Sequence, residues 1–130
     1  MQFLENTIKA RLERYNDITL AFLFGSAAAG RQAPASDLDI ALLFREVPGR
    51  ERIEQISAEL ERATGNEIDL VLLDDASPII RMQVLKKGVP LIRREGAYEE
   101  FFTRTVNEYD DIKYQRREIE NSLDRGRIYA

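Results

Sequence analysis

Two aspartates one residue apart, Asp37-Leu38-Asp39, stand at the entrance of the apolar run "IALLF", and a third, Asp69, lies between the apolar neighbours Ile68 and Leu70. In an extended strand successive side chains alternate between faces, so Asp37 and Asp39 point one way and Leu38 and Ile40 the other. Two carboxylates held this close repel by about 4 kcal/mol at 4 Å in an effective dielectric near 20, a cost that a divalent cation reverses. If the strand carrying Asp69 pairs beside the first, the three carboxylates form one acidic cluster. Oxygen donors of this kind suit Mg²⁺ or Mn²⁺, hard ions that also bridge substrate phosphates.

Twelve residues before Asp37, the pair Gly25-Ser26 follows the apolar run "LAFLF". Glycine lets backbone approach a ligand closely, and a helix beginning at Ser26 would turn free N–H groups toward an anion, of which phosphate is the natural guest. A P-loop is the rival reading, since Gly25 and Gly30 satisfy G-x-x-x-x-G, but Arg31-Gln32 stands where Lys-[Ser/Thr] is required. Each signal also has an ordinary explanation. Gly-Ser after a strand is often only a turn, Asp37 can cap the preceding loop, and Asp69 can pair with Arg81 or Arg93. The conjunction of all three on successive strands favours the functional reading.

The elements that must position these residues are legible in the periodicity. Leu4, Ile8, Leu12 and Tyr15 predict a first helix over residues 3–15, followed by a buried strand over 19–24. Asp37–Phe44 reads as the second strand and 67–74 as the third, with a helix over about 50–63 between them, ended by Gly65. Ser77 as N-cap, Pro78 at the first position and Gly88 at the end frame another helix, and "VPLIRR" is a short fourth strand that Pro90 assigns to a sheet edge. Residues 97–125 contain neither glycine nor proline and predict a long helix, its stripe running through Tyr98, Phe102, Thr105, Tyr109, Ile112, Ile119 and Leu123. The order implies an α/β (α+β) domain: a short mixed sheet flanked by helices, with a long C-terminal helix.

Composition narrows the function. The chain has 130 residues, 44% of them hydrophobic, enough for one domain with one core. A net charge of -4 argues against a domain that grips nucleic acid by phosphate neutralisation. Cysteine and histidine are both absent, which excludes disulfides, thiolate or imidazole metal sites and an imidazole base. No apolar run approaches the roughly 20 residues needed to span a bilayer, so a soluble cytoplasmic protein is expected.

At Gly25-Ser26, Asp37-Leu38-Asp39 and Asp69 the chain resembles the minimal nucleotidyltransferases (MNT) of the polymerase-β-like superfamily, in particular the antitoxins paired with HEPN ribonuclease toxins. The resemblance implies the superfamily fold over residues 1–95, with residues 96–130 as a C-terminal helix of the same domain that binds the partner. It further implies that Asp37, Asp39 and Asp69 hold two Mg²⁺ ions, with Mn²⁺ an alternative, and that Gly25 and Ser26 contact the triphosphate of ATP. Asp69 would also help to activate the attacking hydroxyl. The reaction would be transfer of AMP to a tyrosine of the cognate HEPN toxin. Many relatives read G-S-x-A-R-G, whereas Ala29 stands here at the arginine position, with Arg31 the candidate to replace its charge. A binding module that inhibits by contact alone, and transfer to a small molecule, remain alternatives. Residues 113–130 are highly charged and are expected to project to a protein partner or a second subunit. Whether the chain forms a homodimer or a hetero-oligomer stays open.

Overall fold

The computed structural model describes residues 2–25 and 37–129, with the side chains of the last helix described through residue 119. The elements follow in the order α1 (Gln2–Leu12), β1 (Ile18–Phe24), β2 (Leu38–Phe44), α2 (Arg50–Thr64), β3 (Ile68–Leu72), α3 (Pro78–Lys87), β4 (Val89–Arg93) and α4 (Ala97–Tyr129). The strands form one mixed sheet in the order β3-β2-β1-β4. β1 pairs antiparallel with both β2 and β4, and β2 pairs parallel with β3. The parallel step is spanned by α2, as a crossover between parallel strands requires.

Period-two alternation divides the strand residues between two cores. Leu38, Ile40 and Leu42 of β2 face α1 and α2, joining Ile8, Leu12, Ile56 and Leu60. Leu20, Phe22 and Ala41 face the other way, against Val84 of α3 and Phe101 of α4. Asp39 and Asp69 fall in the same alternation as Ala41 and Val71, so they belong to the face that α3 and α4 cover.

Most helix boundaries follow the local signals. The Ser77 hydroxyl accepts a hydrogen bond from Ile80 N at 3.3 Å, and Pro78 opens α3. Gly65 ends α2 at φ 72°, its N–H donating to Glu61 O. Pro90 lies in an edge strand, as expected, opposite Phe22.

Three expectations need correction. α1 ends at Leu12 rather than Tyr15, yet Tyr15 is still buried because the turn after the helix returns it to the core. β3 stops at Leu72, two residues early, where the chain turns with Asp75 N and Ala76 N donating to Leu72 O at 3.1 Å, and the Arg81 side chain takes up the Leu73 and Asp74 carbonyls at 2.8 and 3.0 Å. In α4 the buried aromatic is Phe101, at 1% exposure, whereas Phe102 is 45% exposed. A residue at i+3 and one at i+4 from Tyr98 satisfy the helical period equally well, and packing against Leu20 and Phe22 selects the first.

Candidate active site

The parallel pairing of β2 with β3 sets Leu38 beside Ile68 and Asp39 beside Asp69. The two aspartates, 30 positions apart in the chain, therefore occupy one rung of the sheet. A second acidic pair lies one step outward along the same face. Leu38 N donates to Glu67 O at 2.8 Å, which holds the backbone just before β3 beside the entrance of β2, and the Asp37 and Glu67 side chains are hydrogen bonded.

Charge and burial act together on these groups. Asp39 is partly buried, and its pKa is raised first by that burial, then by the charge of Asp69, by a side-chain hydrogen bond to Asp69 and by the charge of Asp37. The pKa of Glu67 is also raised, first by its hydrogen bond with Asp37, then by the Asp37 charge, burial and the charge of Glu61. Crowded carboxylates of this kind favour a shared proton until a cation takes its place.

Gly25 explains how the cluster is kept open on the β1 side. Phe24 stands opposite Asp39 in the antiparallel ladder, and Gly25 turns the chain away at φ 74°. A Cβ built at Gly25 would lie 2.3 Å from Asp39 Oδ2. Any side chain at position 25 therefore displaces the carboxylate, over and above the backbone strain that positive φ imposes. The close approach that glycine permits here is to a carboxylate of the site itself.

The structure thus brings Asp39, Asp69 and Gly25 together, with Asp37 alongside. Ser26, and with it Ala29 and Arg31, lies outside the described residues. The expectation of three carboxylates gathered on one point is modified. Among the described residues no group of three acidic side chains is drawn in around a single ion position. Asp37 precedes the first residue of β2 and is exposed; it is hydrogen bonded to Glu67, and its charge also acts on Asp39. Glu67 itself was missed. Its signal was present in the alternation, since it lies two residues before Asp69 and so on the same face.

Neither arginine weighed as a partner of Asp69 takes that role. Arg81 is committed to Leu73 O, Asp74 O and Glu108, and the Arg93 guanidinium lies 4.0 Å from the centre of the Tyr98 ring. A purely structural ion pair with either is thereby removed as the reason for an aspartate in β3.

Comparison with known proteins agrees with this geometry. Residues 6–97 match the model of the polymerase beta nucleotidyltransferase family, and the chain belongs to that family. It is 30% identical over 119 residues to protein adenylyltransferase MntA of Shewanella oneidensis, a match covering 91% of this chain and 86% of the relative. Among solved structures, a toxin-antitoxin with AMP-PNP superposes with a TM-score of 0.78 at 29% identity, covering 92% of this chain and 97% of that one. A tri-AMPylated Shewanella oneidensis HEPN toxin in complex with MNT antitoxin matches with a TM-score of 0.73 at 27% identity, covering 94% of this chain and 97% of that one. No helix among the described residues is long and apolar enough to cross a membrane.

Proposed function

We propose that this protein is an antitoxin that transfers AMP from ATP to a tyrosine hydroxyl of a cognate HEPN ribonuclease toxin and so silences it. The observation that carries the reading is the Asp39–Asp69 rung with Gly25 pressed against it: two carboxylates kept adjacent, at a cost to the fold, in a chain of the nucleotidyltransferase family. The similarity to MntA and to an MNT antitoxin bound to an AMPylated HEPN toxin supports the choice of acceptor.

The donor set fits a hard divalent ion. It consists only of oxygen, and the pKa of Asp39 is raised by burial and then by the neighbouring charges of Asp69 and Asp37, which a cation would relieve. Asp37, Asp39 and Asp69 are the residues that would hold Mg²⁺, two ions in the full arrangement, with Mn²⁺ as the alternative. When bound, the ions neutralise the triphosphate and the charge that develops on phosphorus. The chain's own groups do the rest. Gly25 and Ser26 seat the β- and γ-phosphates, and Asp69 accepts the proton of the attacking tyrosine. The phenolic oxygen forms its bond to the α-phosphorus as the bond to pyrophosphate breaks. No protein nucleophile is needed, because positioning and electrostatic stabilisation carry phosphoryl and nucleotidyl transfer. In this reading the protein works in the cytoplasm, where ATP and the toxin's RNA substrates are found.

Incubating the protein with its purified HEPN partner, α-labelled ATP and Mg²⁺ tests the proposal. Label should appear on a partner tyrosine with stoichiometric pyrophosphate, and EDTA should abolish it. Two folded proteins that exchange no label with either Mg²⁺ or Mn²⁺ would overturn the reading. Ala29, in place of the usual arginine, favours one alternative, inhibition by contact alone. That alternative predicts that an Asp37→Ala, Asp39→Ala variant protects cells from the toxin as well as wild type does.

A further inference from the structure

α4 is a 33-residue helix, but the core needs only its first part. Phe101 and Thr105 are fully buried, Tyr109 and Ile112 are half-buried, and every residue from Lys113 to Ile119 is exposed. Where α4 passes α3 a groove of about 290 Å³ opens, walled by Ile79, Tyr109 and Ile112 and rimmed by Lys113, Arg116 and Arg117. Ile80 beside it and Ile119 one heptad beyond Ile112 are 44% and 60% exposed. The apolar surface therefore continues along both helices beyond the groove.

The charge lining this groove is one-sided. All three charged side chains that line the groove are cations. Lys86 adds a fourth, its ammonium 5.9 Å from the Tyr109 ring on one side as that of Lys113 is 5.2 Å away on another. Glu108, the acidic residue of α4 closest in sequence to Tyr109 on its N-terminal side, is bound to Arg81 at 3.0 Å and does not line the groove. In a chain of net charge -4, four cations around three apolar side chains are a local reversal of sign.

We infer that the α3–α4 groove is the docking surface for the acceptor protein and that it receives an amphipathic helix with acidic flanks. This rests on the proposed transfer reaction and adds to it the site of partner recognition. Apolar walls with a cationic rim match such a helix: its apolar stripe fills the space between Ile79 and Ile112, and its carboxylates meet Lys113, Arg116 and Arg117. A polynucleotide would use the cations and leave the isoleucines against its phosphates, so protein is the better fit. The placement also suits the chemistry, because α3 and α4 cover the face of the sheet to which Asp39 and Asp69 belong. A partner seated on these helices lies on the same side of the sheet as the two carboxylates.

The experiment uses the full-length chain and its purified cognate HEPN protein. An Arg116→Glu, Arg117→Glu variant changes only exposed side chains, and an Ile79→Asp variant alters the apolar wall independently. Titration calorimetry should show both variants binding at least tenfold more weakly than wild type, and wild-type affinity should fall steeply with added salt. Asp39→Asn should bind like wild type while AMP transfer falls by on the order of 10²–10³-fold, which separates docking from chemistry. Three results overturn the inference: undiminished binding by both groove variants, a loss confined to self-association of this chain in sedimentation, or a loss confined to binding of a 20-nucleotide RNA. Should wild type bind through the groove yet move no AMP, the docking surface stands and the transfer reading falls.

Discussion

The two ends of the sheet treat charge in opposite ways. At the end where β2 and β3 begin, Asp37, Asp39, Glu67 and Asp69 crowd one another, and among the described residues none of the four makes an ion pair. At the other end charges and polar groups are matched. Asp17 pairs with Arg52 at 2.7 Å, Tyr15 is hydrogen bonded to Glu59, Arg94 donates to Ile18 O at 2.7 Å, and Arg81 ties Leu73, Asp74 and Glu108 together. One end consolidates the fold, while the other stores repulsion for a ligand to relieve. Local conflicts of this kind are expected where function overrides stability.

The sharpest way to break the contrast is Asp39→Asn. Its pKa, raised first by burial and then by Asp69 and Asp37, means that the stability associated with the protonated carboxyl is present at acid pH and lost as pH rises through the folded value. Asparagine restores a neutral group of the same shape. The variant should melt a few degrees above wild type while AMP transfer falls by on the order of 10²–10³-fold, the scale of losing one electrostatic stabiliser. Mg²⁺ should raise the melting temperature of wild type and leave that of the variant nearly unchanged. Scanning calorimetry with and without Mg²⁺ reads both effects, and a variant less stable than wild type would contradict the account.

Gly25→Ala tests the same end sterically. The added methyl would stand 2.3 Å from Asp39 Oδ2 at a backbone φ of 74°. The left-handed conformation alone costs about 1–2 kcal/mol for a residue with a Cβ. Moving the carboxylate by a fraction of an ångström should lower transfer by on the order of 10²-fold, through kcat more than through the KM for ATP. Steady-state kinetics on the folded variant checks the split.

At the matched end the expected signature is reversed. Arg81→Met removes the donor to two carbonyls and leaves Glu108 without its partner. Destabilisation of about 2–4 kcal/mol should follow, from unsatisfied buried acceptors and a broken ion pair. Transfer per folded molecule should stay close to that of wild type. Urea unfolding combined with active-site titration measures the two quantities separately.

These residues also show how far a sequence can be read without coordinates. The alternation that put Asp37 and Asp39 on one face, and the helix caps at Ser77 and Gly65, depend on nearest neighbours and were legible. That Asp69 would share a rung with Asp39 required a parallel register, which the α2 crossover made reasonable but only the folded ladder supplies. Glu67, the first residue of the predicted third strand, shares a face with Asp69 by alternation, but its pairing with Asp37 comes from the neighbouring strand. Phe101 and Phe102 were indistinguishable by period, and Arg81 was weighed only as a partner of Asp69, because nothing local announces that two carbonyls at the end of β3 need its guanidinium. What escaped the sequence is pairing between elements, not the elements themselves.

The smallest expected effect refines the comparison by pH. Tyr15 is buried, and burial, its hydrogen bond to Glu59 and the Glu59 charge together push its pKa up to about 12. A hydroxyl whose folded pKa lies above the unfolded value of about 10 contributes stability that is fully present below pH 10 and is lost as pH rises toward 12. Tyr15→Phe should cost only about 1 kcal/mol at pH 8, the net worth of one hydrogen bond. The gap between wild type and variant should then close between pH 10 and pH 12, because phenylalanine has no proton to lose. Asp39→Asn, which removes a carboxyl and leaves every phenol in place, should show no such closure in that window. Parallel pH–stability curves for the two variants therefore assign each end of the sheet its own titration, and a gap for Tyr15→Phe that stays constant to pH 12 would mean that the hydroxyl is not held by Glu59.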